Sequence, residues 1–385
     1  MKKNKIRLFK PALSNKEIFE IKKVFSKSWV GYGPKVKSFE SMWSKFFKVK
    51  HAVGVNSCTA ALHTALAVNK FKKGKKVLVP AISFSASAAV VIYCGLTPVF
   101  VDINKDDLNM NFEDLKNKFS KDCVAVIPVH FGGHPCHMEK IIPWAKKNRL
   151  TVIEDCAETC GGTYKGKKLG TWGDFGCFSF EEKKIMTTGD GGMIVTNDKK
   201  KIKYLRSFSF HGWDIDPLLR HKKSLSNSKS KINHWDYDIK ELGFKYNMND
   251  LMASIGISQF KQINWLNNSR TNLIKLYIAQ LKNCKNIRFT FPYDLRNASY
   301  WMLSIRCKKR DQLIKYLRKN GIASSVHLKP LPLLTVYRKY RSKIPNALKT
   351  WKELVSLPLF PELKKNEVKH ITKVVNKFDQ NFKNF

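Results

Sequence analysis

Acidic residues are scarce in this chain: 30 Asp and Glu stand against 71 Lys and Arg, a formal net charge of +41. An excess of that size draws anions, whether nucleic acid or a phosphorylated small molecule. What the excess lacks is organisation. Lysines recur along nearly every amphipathic segment, mostly in pairs such as Lys22 with Lys23, Lys75 with Lys76 and Lys146 with Lys147, without a stripe of interleaved aromatics or glycines. They read as a solvated face, and no dedicated nucleic-acid site is expected. Long apolar runs are missing too. The longest, KKVLVPAISFSASAAVVIYCGLTPVFV, is cut by Pro, Ser and Gly short of the roughly 20 residues that span a bilayer. The N-terminus is basic but carries no apolar stretch of the secretory kind, so a cytosolic protein without a membrane partner is expected. The cysteines show no paired spacing: positions 58, 94, 123, 136, 156, 160, 177, 284 and 307 are scattered and odd in number, which suits reduced thiols packed as small apolar groups. No repeat or low-complexity tract occurs, although LRHKKSLSNSKSKINH (219–234) is polar and reads as a mobile loop, of the kind that forms a lid or an oligomer contact.

What is present is enough chain, 385 residues, to bury a substantial core in two or three domains. From Asn56 to Thr196, helical patterns (CTAALHTALAV, MEKIIPWAKKN) alternate with short β-branched runs (KKVLVP, TPVFVDI, CVAVIPVH, LTVIEDC, GCFSF, GMIVTN). Strands alternating with helices imply βαβ units and a mainly parallel sheet covered on both faces. After about Asn268 the pattern changes to long helices (RTNLIKLYIAQLKN, RDQLIKYLRKNG, KNEVKHITKVVNKF) with a few strands such as YWMLSIRC. The expected organisation is a large α/β domain over 1–267, with a helix near Asn15–Ser26 as an outlying arm, and a smaller α+β domain over 268–385.

Three segments carry candidate chemistry. In GCFSFEEKKIMTTGDGGMIVTND (176–198) a strand runs into Lys183 and Lys184, then into a turn on Gly189, Gly191 and Gly192, then into a second strand. Glycines allow the backbone close to a ligand, and a lysine held between two strands has its amine fixed in space, which suits a Schiff base. An ordinary glycine-rich hairpin with exposed lysines accounts for the segment equally well. TVIEDCAE (151–158) ends a buried strand with two carboxylates at the edge where ligands sit in open α/β sheets. Such an aspartate can pair with a pyridinium nitrogen, or merely cap the next helix. VNSCTAALHTAL (55–66) opens a helix with Ser57, Cys58 and Thr59, whose free amides suit a phosphate, though Ser and Thr begin many helices. A fourth segment, HFGGHPCHMEK, gathers His130, His134, Cys136 and His137, but neither the spacing nor a second ligand cluster supports a closed metal site, and none is expected.

SCTAALHTAL, PAISFSASA, GLTPVFVDI, PVHFGG, VIEDCAE, FSFEEKKIMTTGDGGMIVTND, HGW and LGFKYNMNDLMASIGISQ follow one another in this order. From about Pro11 to the last helix the chain resembles the sugar-nucleotide aminotransferases of the perosamine-synthase kind, with the aspartate-aminotransferase-like fold (fold type I) of pyridoxal-phosphate enzymes. The resemblance implies pyridoxal 5'-phosphate as cofactor and a Schiff-base role for Lys184, with Lys183 its structural neighbour. It assigns Asp155 to the pyridine nitrogen, Phe84 to stacking on the ring, Cys58 and Thr59 to the phosphate through their amides, and Ser179 to the phosphate through its hydroxyl. It implies a homodimer whose LGFKYNMND segment reaches the neighbour's phosphate, which nominates Asn247 and Lys245. Glu158 stands where many relatives carry Gln or His beside the phenolic oxygen. SSVHLKPLP (324–332) keeps only His327, Pro330 and Leu331 of a substrate-side motif, leaving His327 as a candidate substrate contact. The implied activity moves an amino group from L-glutamate to a nucleotide-linked keto-sugar, typically a 4-keto-6-deoxyhexose, for amino-sugar and surface-polysaccharide synthesis. A related sugar dehydratase carries His in place of the lysine, and Lys184 argues against it. A non-catalytic basic binding protein is favoured by the charge alone.

Overall fold

The computed structural model describes residues 6–214, 216, 218, 220, 237–295 and 299–385. The expected mobile loop at 219–234 lies outside the described residues apart from Arg220. The elements that position the site run α1 (Asn15–Phe25), α2 (Pro34–Phe47), β1 (His51–Val55), α3 (Cys58–Ala67), β2 (Lys76–Pro80), α4 (Ala86–Tyr93), β3 (Thr97–Val101), α5 (Phe112–Lys118), β4 (Cys123–Val126), α6 (Met138–Lys147) and β5 (Thr151–Cys156). A short hairpin, β6 (Thr163–Tyr164) and β7 (Lys167–Lys168), precedes β8 (Phe175–Ser179), β9 (Gly192–Thr196) and α7 (Ile202–Phe208).

Seven strands form one sheet in the order β1-β9-β8-β5-β4-β2-β3. β3, β2, β4, β5 and β8 run parallel, while β9 is antiparallel to both β8 and β1. The architecture is the expected α/β with a mostly parallel mixed sheet. Runs such as VLVP in β2 are buried on both faces, which a sheet clad by helices requires and a half-exposed sheet would not tolerate. β1 escaped the sequence reading: His51–Val55 is short and lies upstream of the alternating pattern, and its pairing with β9 is set by tertiary contact. The reversal at β9 follows from the turn between it and β8. Phe180 N–H donates to Gly191 O at 2.9 Å and Thr188 N–H to Phe180 O at 3.0 Å, closing residues 180–191 into a tight loop at the end of two hydrogen-bonded strands.

The remainder comprises α8 (Asp250–Phe260), α9 (Ile263–Leu281), β10 (Ile287–Phe289), β11 (Leu303–Cys307), α10 (Arg310–Lys319), α11 (Pro345–Trp351), β12 (Leu354–Leu357) and α12 (Lys365–Gln380). β10, β11 and β12 make an antiparallel sheet whose Ile305 and Val355 share one buried core with Leu313 of α10, Ile371 and Val375 of α12, and Tyr277 of α9. α9 crosses from one core to the other. Ile263 and Leu266 pack into the core of the seven-stranded unit, whereas Leu273, Ile274, Tyr277 and Leu281 pack with the small sheet. The chain start also belongs with the small sheet, since Ile6 N–H donates to Gly321 O and Ala323 N–H to Ile6 O. α1 is not an outlying arm. It packs on α8, and its buried Glu17 accepts from Ser258 Oγ at 2.9 Å and from Gln259 Nε2 at 2.9 Å.

Candidate active site

Between the two units lies a cleft of about 420 Å³, a size that suits a cofactor or drug-sized ligand. Its floor is the C-terminal edge of the parallel strands. β1 leads into Ser57, Cys58 and Thr59, β2 into Ser83 and Phe84, β4 into Val129, and β5 carries Asp155 at its end with Ala157 and Glu158 just beyond. The end of β8 adds Ser179, the loop between β8 and β9 adds Lys184 and Gly191, and the small unit closes the far side with Trp301 and His327.

Alternation along β5 separates its two carboxylates. Asp155 faces the cleft, 3% exposed, where Oδ2 accepts from Ser87 Oγ at 2.7 Å and Oδ1 from Ala157 N–H at 3.0 Å. Ser83 Oγ lies 2.7 Å from Ser87 Oγ and holds that hydroxyl in line. Burial raises the Asp155 pKa, opposed by Ser87, Ala157 and the Lys184 charge. Glu154 points away from the cleft. It accepts from Gly170 N–H at 2.8 Å, Trp172 N–H at 2.6 Å and Gly173 N–H at 2.7 Å, and its Oε2 lies 3.0 Å from His130 Nε2. His130 Nδ1 accepts from Cys136 N–H at 3.1 Å, so Nε2 carries the proton that faces Glu154. His130, Glu154 and Cys156 lie close enough to suggest a metal. Both imidazole nitrogens are already engaged, which leaves no lone pair there for an ion. The other members of the histidine segment diverge: His134 stacks on Phe291, His137 Nε2 pairs with Asp107 at 3.2 Å, and Cys136 Sγ donates to Val129 O at 3.0 Å.

Glu158 is 4% exposed and accepts from Gly132 N–H at 2.5 Å. Burial pushes its pKa up to about 7, against the pull of Lys184 and the Gly132 amide.

The helix start at α3 fits a phosphate. The Ser57 side chain caps the helix by accepting from Ala60 N–H at 3.0 Å, and among the described residues the Cys58 and Thr59 amides have no acceptor. Gly192 lies against this corner: a Cβ there would meet Ser57 O at 2.5 Å and Cys58 N at 2.9 Å, so only glycine lets β9 approach the helix start. Phe84 forms one wall and is 62% exposed, an uncovered ring available for stacking. The Lys184 ammonium makes no ion pair among the described residues and lies 4.1 Å from the centroid of the Trp301 ring. Its backbone is fixed from three sides: Lys184 N–H donates to Glu181 O at 2.9 Å, Trp301 Nε1–H to Lys183 O at 2.7 Å, and the buried Arg270 Nη2 to Lys184 O at 3.4 Å. Lys183, half-exposed at the rim of the cleft, has its Nζ 3.4 Å from Glu181 Oε1. Free amides, a buried carboxylate, an exposed ring and an unpaired amine around one cleft match pyridoxal phosphate group by group.

His327 reaches the cleft from the small unit, with Nδ1 2.8 Å from Ser356 Oγ. Burial, then the Lys184 and Lys183 charges, lowers its pKa to about 4, so it offers a neutral imidazole. Asn247 and Lys245 do not line this cleft. Asn247 bridges to Val55, its Oδ1 buried without a partner, and the Lys245 ammonium lies 4.6 Å from the Phe210 ring centroid. Sequence reasoning missed Phe9, Ser87 and Trp301. Ser87 stood within PAISFSASA beside Phe84 and could have been found there; Phe9 and Trp301 come from remote segments that only folding brings to the cleft.

The DegT/DnrJ/EryC1/StrS aminotransferase family model matches residues 11–376. GDP-perosamine synthase of Escherichia coli O157:H7 is 32% identical, with 97% of this chain and 98% of that protein covered. The spore coat polysaccharide biosynthesis protein SpsC of Bacillus subtilis is 33% identical, covering 95% of each. Among solved structures, one described as a sugar aminotransferase from Streptococcus pneumoniae superimposes in its PMP form with a TM-score of 0.89 at 29% identity, over 98% of this chain and 99% of that one. Its PLP form gives a TM-score of 0.88.

Proposed function

The chain belongs to the DegT/DnrJ/EryC1/StrS aminotransferase family and is a pyridoxal-phosphate-dependent sugar aminotransferase; from that premise we propose that it moves the amino group of L-glutamate to a 4-keto-6-deoxyhexose carried on a nucleotide, for amino-sugar and surface-polysaccharide synthesis. The observation that carries the reading is the unpaired Lys184 amine lining one cleft with the buried Asp155 carboxylate.

Pyridoxal phosphate, when bound, supplies a carbonyl that takes up the amino group and a ring that draws electrons from the adjacent carbon. The protein's part is positioning and proton transfer. Cys58 and Thr59 amides at the α3 start hold the phosphate, aided by the helix dipole and by Ser179 at the end of β8. Asp155, fixed by Ser87 and Ala157, keeps a proton on the pyridine nitrogen, and a cation there offsets the cost of burying its charge. Phe84 covers one ring face. The Lys184 amine takes the proton from the α-carbon of glutamate in the first half-reaction and delivers one to the sugar carbon in the second. His327 stands on the substrate side as a neutral hydrogen-bonding group. Lys245 and Asn247, outside their own cleft, serve that of a second subunit, which makes a homodimer part of the proposal; the exposed Leu242 and Phe244 beside them support an interface there. No helix among the described residues is long and apolar enough to cross a membrane, and a cytoplasmic enzyme is proposed.

Visible absorption tests the reading. Pyridoxal phosphate added to the protein should give a yellow band that L-glutamate bleaches, and Lys184→Ala should abolish the band. A band unaffected by Lys184→Ala sinks the assignment of that lysine; a band that glutamate does not bleach removes glutamate as donor.

A further inference from the structure

Trp301 stands just before β11, and its indole touches both the backbone and the side chain of the segment that carries Lys184. It is 6% exposed. Its backbone N–H donates to Gly132 O at 3.0 Å, which ties it to the seven-stranded unit. Phe9, from the chain start, stacks on it at 4.9 Å with the planes 7° apart, and His327 meets it edge-on at 5.4 Å. The indole is therefore held from turning. One edge donates to Lys183 O at 2.7 Å while the ring lies 4.1 Å from the Lys184 ammonium.

The face of an indole carries negative potential, and it attracts an ammonium most strongly where water is excluded. Lys184 needs such a resting place. Resting on the proposed role of Lys184, its amine is bonded to the cofactor in one part of the cycle and free in another, and a free lysine on its flexible stem would otherwise explore the cleft. Asp155 and Glu158 also attract it, and an ion pair with either would draw it from its working position. We infer that Trp301 is a positioning residue for Lys184: its ring holds the free ammonium and its indole N–H fixes the peptide that carries it. Phe9 and His327 act one step behind, by holding the ring.

The contact can be read without turnover. Reductive ¹³C-methylation labels the lysines of the full-length chain before cofactor is added, and the Lys184 resonance is identified by its loss in Lys184→Arg. A methylammonium over an indole face is displaced upfield by the ring current, so the wild-type resonance should be displaced and should return to the main lysine envelope in Trp301→Leu. Trp301→Phe keeps a ring and loses the indole N–H; it should keep the displaced resonance, and it carries the test if the leucine variant does not fold. An undisplaced Lys184 resonance in the wild type, or one that stays displaced in Trp301→Leu, overturns the inference. Absence of any yellow band in the wild type would instead defeat the reading of Lys184 itself, while the resonance still judges the contact.

Discussion

Glu158→Gln separates a titrating carboxyl from its hydrogen bond. A glutamine oxygen can continue to accept the Gly132 N–H that Glu158 takes at 2.5 Å, while the exchangeable proton is removed. Burial carries Glu158 from an ordinary 4.5 to about 7. A carboxyl whose folded pKa lies above its unfolded value binds its proton more tightly when folded. Its stabilising contribution is therefore full below about 4.5 and lost as pH rises through about 7. The interval from 4.5 to about 7, at about 1.36 kcal/mol per unit, corresponds to about 3 kcal/mol in full. Between about pH 5 and about pH 8 the loss is on the order of 2 kcal/mol, because part of the interval lies below the lower pH. Urea unfolding of cofactor-free wild type and Glu158→Gln at both pH values measures it. The variant should gain on the wild type by that amount at the higher pH. His134 and His327 titrate identically in both proteins and cancel in the difference. A stability difference that does not change with pH, or that moves the other way, refutes the argument.

Glu154→Gln should destabilise the protein by about 3 kcal/mol, since the amide nitrogen would face N–H donors where a carboxylate now accepts from Gly170, Trp172 and Gly173; the urea midpoint measures this. Gly192→Ala should displace the α3 start, because its Cβ would lie 2.5 Å from Ser57 O, and weaken pyridoxal phosphate binding by at least about tenfold in a fluorescence titration. Unchanged affinity there would show that the Cys58 and Thr59 amides do not hold the phosphate.

Local pattern was enough for the large unit's class. Buried β-branched runs alternating with helices specify a parallel sheet wherever they fold, because each run must hide both faces. Asp155 and the α3 start were legible as candidates for a related reason: the one stands at the end of a strand and the other just after one, at the sheet edge; Phe84 and the choice of Lys184 over Lys183 came from the family resemblance. The sequence could not distribute the two carboxylates of β5. Their period-2 alternation was visible, but which face held the cleft depended on the whole sheet, and that decided that Asp155 meets Ser87 while Glu154 is tied to residues 170–173. Nor could it bring Trp301 to Lys184, or Phe9 to Trp301, since these segments are far apart along the chain and no periodicity reaches so far. The raised Glu158 pKa is likewise a product of tertiary burial: a carboxyl's own chemistry sets it near 4.5, and only the walls that exclude water from it move it to about 7.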